Sequence, residues 1–181
     1  MKTKKIAVLA ISITILLLTA GIAYAVSYLS VSLNANTPPG GYIWATSTNV
    51  AFTTFDFSNA ASSTEDIILD FLAVTNSGSS STTPHVFSQL YLYEDDNLIA
   101  TTTEAFDTNH FLFRALNYTI PTSTTKALTV KGDLGAEATS TQTIIIGIKG
   151  ANFIRAHGAY TGTATTIWGN FPVLGNTFTI Y

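Results

Sequence analysis

The sequence predicts an all-β protein, a two-sheet antiparallel sandwich preceded by an N-terminal signal or anchor helix. Short runs that alternate apolar and polar residues fill the chain after residue 25, a pattern typical of strands that are buried on one face. Clusters of Ser, Thr, Gly and Pro separate these runs. The longer periodicity of an amphipathic helix is missing from the same part of the sequence, which favours strands throughout.

The first 25 residues have the organisation of a secretory leader. Lysines stand near the start, an uncharged apolar run follows over residues 6–22, and Ala23-Tyr24-Ala25 is a small-x-small cleavage site. An uncleaved anchor is the alternative, because the run and the cleavage site together are long enough to cross a bilayer as a helix. Both alternatives predict export through the Sec pathway. Residues 26–181 then form one domain outside the cytoplasm, which meets the membrane only through the N-terminal segment.

Individual runs predict specific strands and turns. Residues 67–74 are the most apolar run, and their inward positions change parity at Asp70-Phe71, which predicts a β-bulge there. Residues 90–102 predict a hairpin with its tip at 94–97, where Asp and Asn tolerate the backbone of a tight turn. One strand is expected over 111–120 and a terminal strand over 176–181. An apolar alternating strand can pair with the edge of a neighbouring sheet, which is one option for assembly through residues 176–181. About eight or nine such strands suit an immunoglobulin-like sandwich.

Composition excludes several function classes. Cysteine is absent, which rules out thiol catalysis and cysteine-ligated zinc. Without the three N-terminal lysines, five basic residues stand against eleven acidic ones, a net charge of about −6. The five basic residues form no run, whereas a protein that neutralises phosphates needs a basic stripe. Nucleic acid is therefore not an expected partner.

The sequence shows no catalytic or cofactor-binding pattern. A Gly-x-Ser-x-Gly elbow is missing, and the three histidines, His85, His110 and His157, have no metal-binding spacing. Neither enzymatic activity nor a cofactor is predicted. Glu94, Asp95 and Asp96 form the densest acidic group and are candidate calcium ligands, since calcium prefers several oxygen ligands. The alternative is that a hairpin tip contains Asp for backbone reasons alone.

Aromatic residues are the other candidates for binding. Tyr42, Trp44, Trp168 and Phe171 stand in or beside predicted loops. Exposed aromatic side chains can stack on sugars or anchor a protein interface. The alternative is that these residues cover the open end of the sandwich and belong to its core.

Four segments of the domain support a resemblance to a known family. They are Leu90-Tyr-Leu-Tyr-Glu-Asp-Asp-Asn-Leu-Ile-Ala100, Leu116-Asn-Tyr-Thr-Ile-Pro121, Thr125-Lys-Ala-Leu-Thr-Val-Lys-Gly-Asp-Leu134 and Gly175-Asn-Thr-Phe-Thr-Ile180. In this order they resemble the immunoglobulin-like repeats of large secreted surface proteins, S-layer-like and adhesin-like, from uncultured small-genome bacteria. The resemblance covers about residues 28–181. It implies an extracellular β-sandwich with a surface role and provides no catalytic residues.

Two functions remain open at this point. The first is a structural or adhesion module of the cell surface, which forms part of a surface layer, fibre or stalk and has other surface modules or copies of itself as partners. The second is a recognition domain that binds a glycan or a host-cell protein weakly through loops 37–48, 76–86 and 151–175. Assembly into ordered arrays would favour the first, and binding on a glycan array the second.

Overall fold

The computed structural model describes residues 27–60, 63–82, 85–103, 105 and 109–181, and within them the chain is built from strands. The predicted leader, residues 1–25, lies outside the described residues. Short 3₁₀ turns cover Ser79–Thr82 and Ala151–Phe153. The strands are β1 (Tyr28–Leu33), β2 (Gly41–Ile43), β3 (Val50–Asn59), β4 (Ile67–Asn76), β5 (Phe87–Glu94), β6 (Asn97–Thr102), β7 (His110–Phe113), β8 (Tyr118–Ile120), β9 (Thr125–Leu134), β10 (Thr143–Ile144), β11 (Ile146–Ile148), β12 (Ile154–Gly158), β13 (Thr166–Trp168), β14 (Val173–Leu174) and β15 (Phe178–Ile180). The all-β prediction is confirmed for this part of the chain.

The first large sheet has the strand order β13-β1-β3-β9-β5-β6. Its long strands β3 and β9 lie in the middle and pair antiparallel over almost their whole length. Phe55 and Phe57 alternate with half-buried or polar neighbours, so that one face of β3 is buried, as its sequence pattern predicts. Strand β1 pairs antiparallel with β3 but parallel with β13, which corrects the prediction of a purely antiparallel sandwich.

The second large sheet is organised around β4. This strand pairs with β8 and β7 along one edge and with β12 and β11 along the other, and β11 continues to β14. The register against β12 shifts opposite Asp70, so the predicted bulge is confirmed. Because of the bulge, both halves of β4 bury their aliphatic side chains: Ile67, Leu69, Leu72 and Val74.

The predicted strand over 111–120 is two strands. Strand β7 ends at Phe113 and β8 begins at Tyr118, and both pair with β4. Between them, Ala115 and Asn117 have φ angles of 51° and 47°, in the left-handed region that interrupts a strand. The sequence does contain a signal of this break, since the apolar positions change from odd (Phe111, Phe113) to even (Leu116, Tyr118, Ile120), and the prediction of one continuous strand passed over it.

A small third sheet closes one end of the sandwich, with the order β10-β15-β2. Strand β15 lies in its centre, parallel to β2 and antiparallel to β10. Both edges of β15 are therefore paired within the domain, so this strand is not available for the option of assembly through the terminal strand. The chain passes from this sheet into the second large sheet between Ile144, the last residue of β10, and Ile146, the first residue of β11.

Four phenylalanine rings join the three sheets in one core. Phe52 of β3 meets Phe87 of β5 at a centroid distance of 5.4 Å and Phe178 of β15 at 5.2 Å, both nearly perpendicular. Phe87 in turn meets Phe111 of β7 at 5.3 Å. Edge-to-face contacts of this kind add to the free energy gained by burying the rings. This phenylalanine cluster fixes the position of the small sheet on the two large ones.

Candidate binding surfaces

Three aromatic side chains form an exposed cluster beside the small sheet. Tyr42 lies in β2, Trp44 follows that strand, and Tyr181 follows β15. The parallel pairing of Ile43 with Ile180 brings the ends of the two strands side by side. The ring of Tyr181 lies 4.9 Å from that of Trp44 and 6.4 Å from that of Tyr42, with interplanar angles of 83° in both pairs. We call Tyr42, Trp44 and Tyr181 the aromatic cluster.

The three rings of the aromatic cluster are open to solvent, and hydrogen bonds hold the backbone beneath them. Tyr42 is 79% exposed, Trp44 65% and Tyr181 66%, and together with Ile43 they line an open hollow of about 520 Å³. The backbone of Trp44 is held by a turn, since its N–H donates to Ser47 Oγ at 3.0 Å and its carbonyl accepts from the Ser47 N–H at 2.9 Å. Sequence reasoning singled out Tyr42 and Trp44 but missed Tyr181, whose place depends on the parallel pairing of β15 with β2.

The other two predicted aromatic residues lie apart from the cluster. Trp168, in the edge strand β13, is 60% exposed, and its ring lies 6.5 Å from that of Tyr28. Phe171 is half-buried and packs against the core. Phe171 therefore has the position expected of a residue that covers the sandwich, whereas Trp168 has the exposure expected of a contact residue.

The acidic group stands at a hairpin tip, as the sequence predicts. Strands β5 and β6 are joined by Asp95 and Asp96, and Asp95 has a φ of 52°, which Asp tolerates better than most residues. Glu94 accepts a hydrogen bond from Lys126 Nζ at 2.7 Å, and this contact lowers the pKa of the Glu94 carboxyl. Burial and the nearby Glu94 carboxylate raise the pKa of the Tyr118 phenol. Glu94 is thus tied to the sheet, while Asp95 and Asp96 are exposed.

Metal binding is not favoured by the arrangement of the candidate ligands. Over the described ranges, no three His, Asp or Glu side chains come together as a metal site would require. His157 Nδ1 lies 2.7 Å from Asp70 Oδ2, His110 stacks on the ring of Phe153, and His85 is exposed in a loop. Calcium binding at the hairpin tip stays a prediction, and the turn interpretation explains the local geometry without it.

Glu65 is a buried carboxylate that organises a loop. Its oxygens accept hydrogen bonds from the N–H groups of Tyr160 and Thr161 at 2.8 and 2.9 Å and from the Thr161 hydroxyl at 2.7 Å. These bonds, first of all those from Thr161, lower the pKa of the Glu65 carboxyl. A side chain at Gly158 would collide with the same carboxylate, so the loop after β12 is fitted closely around it.

Comparisons with known proteins leave the function open. No protein-family model matches the chain, and no curated protein sequence does. Among solved structures, the chain is similar to the seventh ScaB type I cohesin from Pseudobacteroides cellulosolvens, at 12% sequence identity and a TM-score of 0.39, over 85% of this chain and 93% of that one. None of the helical turns in the described residues has the length and hydropathy needed to cross a membrane.

Proposed function

We propose that the protein is an exported, immunoglobulin-like module without catalytic activity that forms part of a surface layer, fibre or stalk. The predicted leader supports export, and the resemblance of four segments to surface-protein repeats supports the location. The sandwich is suited to a structural role because an apolar core runs continuously through its sheets. Only 10% of the residues are charged, so that much of the surface carries Ser and Thr hydroxyl groups.

The aromatic cluster is the observation that carries this proposal. Isolated exposed apolar residues are common on soluble proteins, but contiguous exposed aromatic side chains mark interaction sites. Aromatic anchors also provide much of the binding free energy at protein interfaces. Tyr42, Trp44 and Tyr181 lie together at one end of the sandwich, where a neighbouring surface component can reach all three.

Replacing Trp44 with Ala tests the proposal. We expect the amount of protein that sediments with isolated cell-envelope fragments to fall, with a loss of affinity of about tenfold or more, as for a truncated aromatic anchor. Tyr160→Ala is the matched control, because Tyr160 is 93% exposed and lies outside the aromatic cluster. Equal sedimentation of both variants and the parent protein would show that the cluster is not the contact surface. A protein that stays free in the medium, with no association with the envelope, would contradict the proposal itself.

Recognition of a glycan is the second candidate function, and the exposure of the same rings favours it. Ring faces that are open to solvent can stack against the C–H groups of a sugar. On a glycan array we expect binding to a small set of sugars, which Trp44→Ala abolishes and Tyr160→Ala preserves. An array with no signal above background at high protein concentration would remove this candidate and leave the structural role.

A further inference from the structure

The two arginines of the chain converge on one aromatic ring. Arg114 follows β7 and Arg155 lies in β12, the two strands that flank β4. Their guanidinium carbons lie 5.8 and 5.9 Å from the centre of the Phe71 ring, within the range of a cation–π contact. Leu72 and Val74 of β4 point into the core, so Phe71 and the two arginines belong to the outer face of the second sheet.

A hollow of about 280 Å³ opens at this place. Phe71, Ala73, Leu112 and Phe153 give it an apolar lining, and Arg114 and Arg155 line it as well. Arg155 is exposed, and within the described parts of the chain no carboxylate lies at ion-pair distance from it. A guanidinium group binds a carboxylate through two parallel hydrogen bonds. The hollow therefore suits a group that combines carboxylates with an apolar side chain.

The rest of the domain carries mainly negative charge, unlike the arginine hollow. The domain after residue 25 is acidic, with eleven acidic residues against five basic ones. Lys126 is paired with Glu94, and the ammonium group of Lys131 lies 4.2 Å from the centre of the Tyr93 ring. The arginine hollow thus combines positive charge with an apolar lining. The negative charge that predominates elsewhere on the domain is complementary to this positive charge, so a second copy of the chain can provide a matching surface.

The hairpin tip between β5 and β6 has the matching chemistry. Asp95 and Asp96 are exposed, and within the described residues neither makes a hydrogen bond or an ion pair. Leu98, next to them in β6, is 52% exposed and adds an apolar side chain. Because Lys126 ties Glu94 to the sheet at 2.7 Å, the tip is presented on a fixed base. The tip thus offers Arg155 the carboxylates that a guanidinium group binds, together with an apolar side chain for the lining of the hollow.

We propose that the arginine hollow of one copy, formed by Phe71, Arg114 and Arg155, receives the Asp95–Asp96 hairpin tip of a second copy of this chain. The tip belongs to the first sheet, whereas the hollow opens on the face of the second sheet that is turned away from the first. Two different patches make a head-to-tail contact, which continues into an open chain when its rotation does not close a ring. The inference rests on the proposed structural function and names a partner for it.

Charge reversal on each side of the contact tests this inference. The full chain, recovered after export, is studied by sedimentation velocity at increasing concentration and low salt. We expect the parent protein to associate, and Arg155→Glu and the pair Asp95→Lys with Asp96→Lys each to weaken association at least about tenfold. Lys149→Glu is the matched control, since it makes the same charge change at an exposed lysine outside the hollow.

Combining the variants distinguishes a specific contact from a general charge effect. A mixture of the Arg155→Glu protein with the doubly substituted tip protein is expected to regain association, although neither protein associates well alone. The unchanged tip of the first fits the unchanged hollow of the second, and the two charge-reversed surfaces attract each other as well. The protein with all three substitutions is expected to regain long assemblies. Melting temperatures close to that of the parent protein would show that the exposed substitutions leave the fold intact.

Three outcomes would overturn the inference. They are a parent protein that stays monomeric at high concentration, association that is unchanged by Arg155→Glu, and an equal loss in Lys149→Glu. A monomeric parent protein that binds an acidic peptide or a polyuronate would place the occupant of the hollow elsewhere and also overturn it. Binding to the cell envelope through Trp44 is measured in a different experiment, by sedimentation with envelope fragments. The proposed function and the proposed contact between copies can therefore fail independently of each other.

Discussion

Phe52→Ala is expected to lower the free energy of unfolding by about 3–5 kcal/mol, the range found when a buried phenylalanine is truncated. Phe52 is fully buried, and its ring contacts Phe87 of the first sheet and Phe178 of the small sheet. The alanine would leave a cavity between three packed layers and remove two edge-to-face contacts. Denaturation by urea or guanidinium, followed by tryptophan fluorescence, measures the loss as a shift of the midpoint.

The control for Phe52 is again Tyr160→Ala. It removes a side chain of similar size from a position that is 93% exposed, and we expect a change within about 0.5 kcal/mol. A loss below about 1 kcal/mol in Phe52→Ala would mean that the core closes around the cavity. In that case the phenylalanine cluster would not be what joins the three sheets.

Glu65→Gln is expected to destabilise the protein by about 1–3 kcal/mol at neutral pH, the range for hydrogen bonds to a charged group. The amide keeps part of the acceptor capacity but loses the charge that the Tyr160 and Thr161 donors stabilise. Unfolding at pH 7, compared with that of the parent protein, measures the difference. Glu137→Gln is the control, because Glu137 is exposed and is expected to tolerate the same change without loss.

The same pair of proteins gives a pH dependence of known sign. The pKa of Glu65 is lowered in the folded state from its ordinary value of 4.5, so the unfolded chain binds a proton at higher pH than the folded one. The stabilisation is therefore complete above about pH 4.5 and is lost as the pH falls through the lower pKa of the folded state. The difference in stability between the parent protein and Glu65→Gln should narrow over that interval. A difference that stays constant down to pH 3 would contradict the role of the carboxylate charge.

Local features of the fold were predictable from the sequence because short-range rules decide them. The bulge at Asp70 follows from a change of parity within one apolar run, and the tip at Asp95-Asp96 from residue types that tolerate a left-handed turn. Ile144, Ile146 and Ile148 are buried as their alternation indicates. The boundary between β10 and β11 was not predictable, because the same alternation continues while the chain changes sheets.

Features that depend on distant parts of the chain were missed. The parallel pairs of β1 with β13 and of β2 with β15 join segments whose own patterns are the same for either direction. The convergence of Arg114 and Arg155 depends on β4 lying between their strands, and neither residue is conspicuous in its local sequence. Only two members of the aromatic cluster, Tyr42 and Trp44, were predicted, because the position of Tyr181 beside them also depends on strand pairing. Candidate binding surfaces in such a protein are created by sheet topology, which periodicity does not encode.

The position of β15 has a mechanical consequence. Hydrogen bonds run along both edges of this strand, to β2 and to β10, and the Tyr181 N–H adds one to Ile43 O at 2.8 Å. A pull directed along the axis of β15 would load both rows of bonds in shear, so that the bonds resist together. An edge strand pulled in the same direction has only one row of bonds to resist the force. The barrier to unfolding governs how long a domain survives under tension. A strand that is paired along both edges therefore suits the proposed structural role in a fibre or stalk.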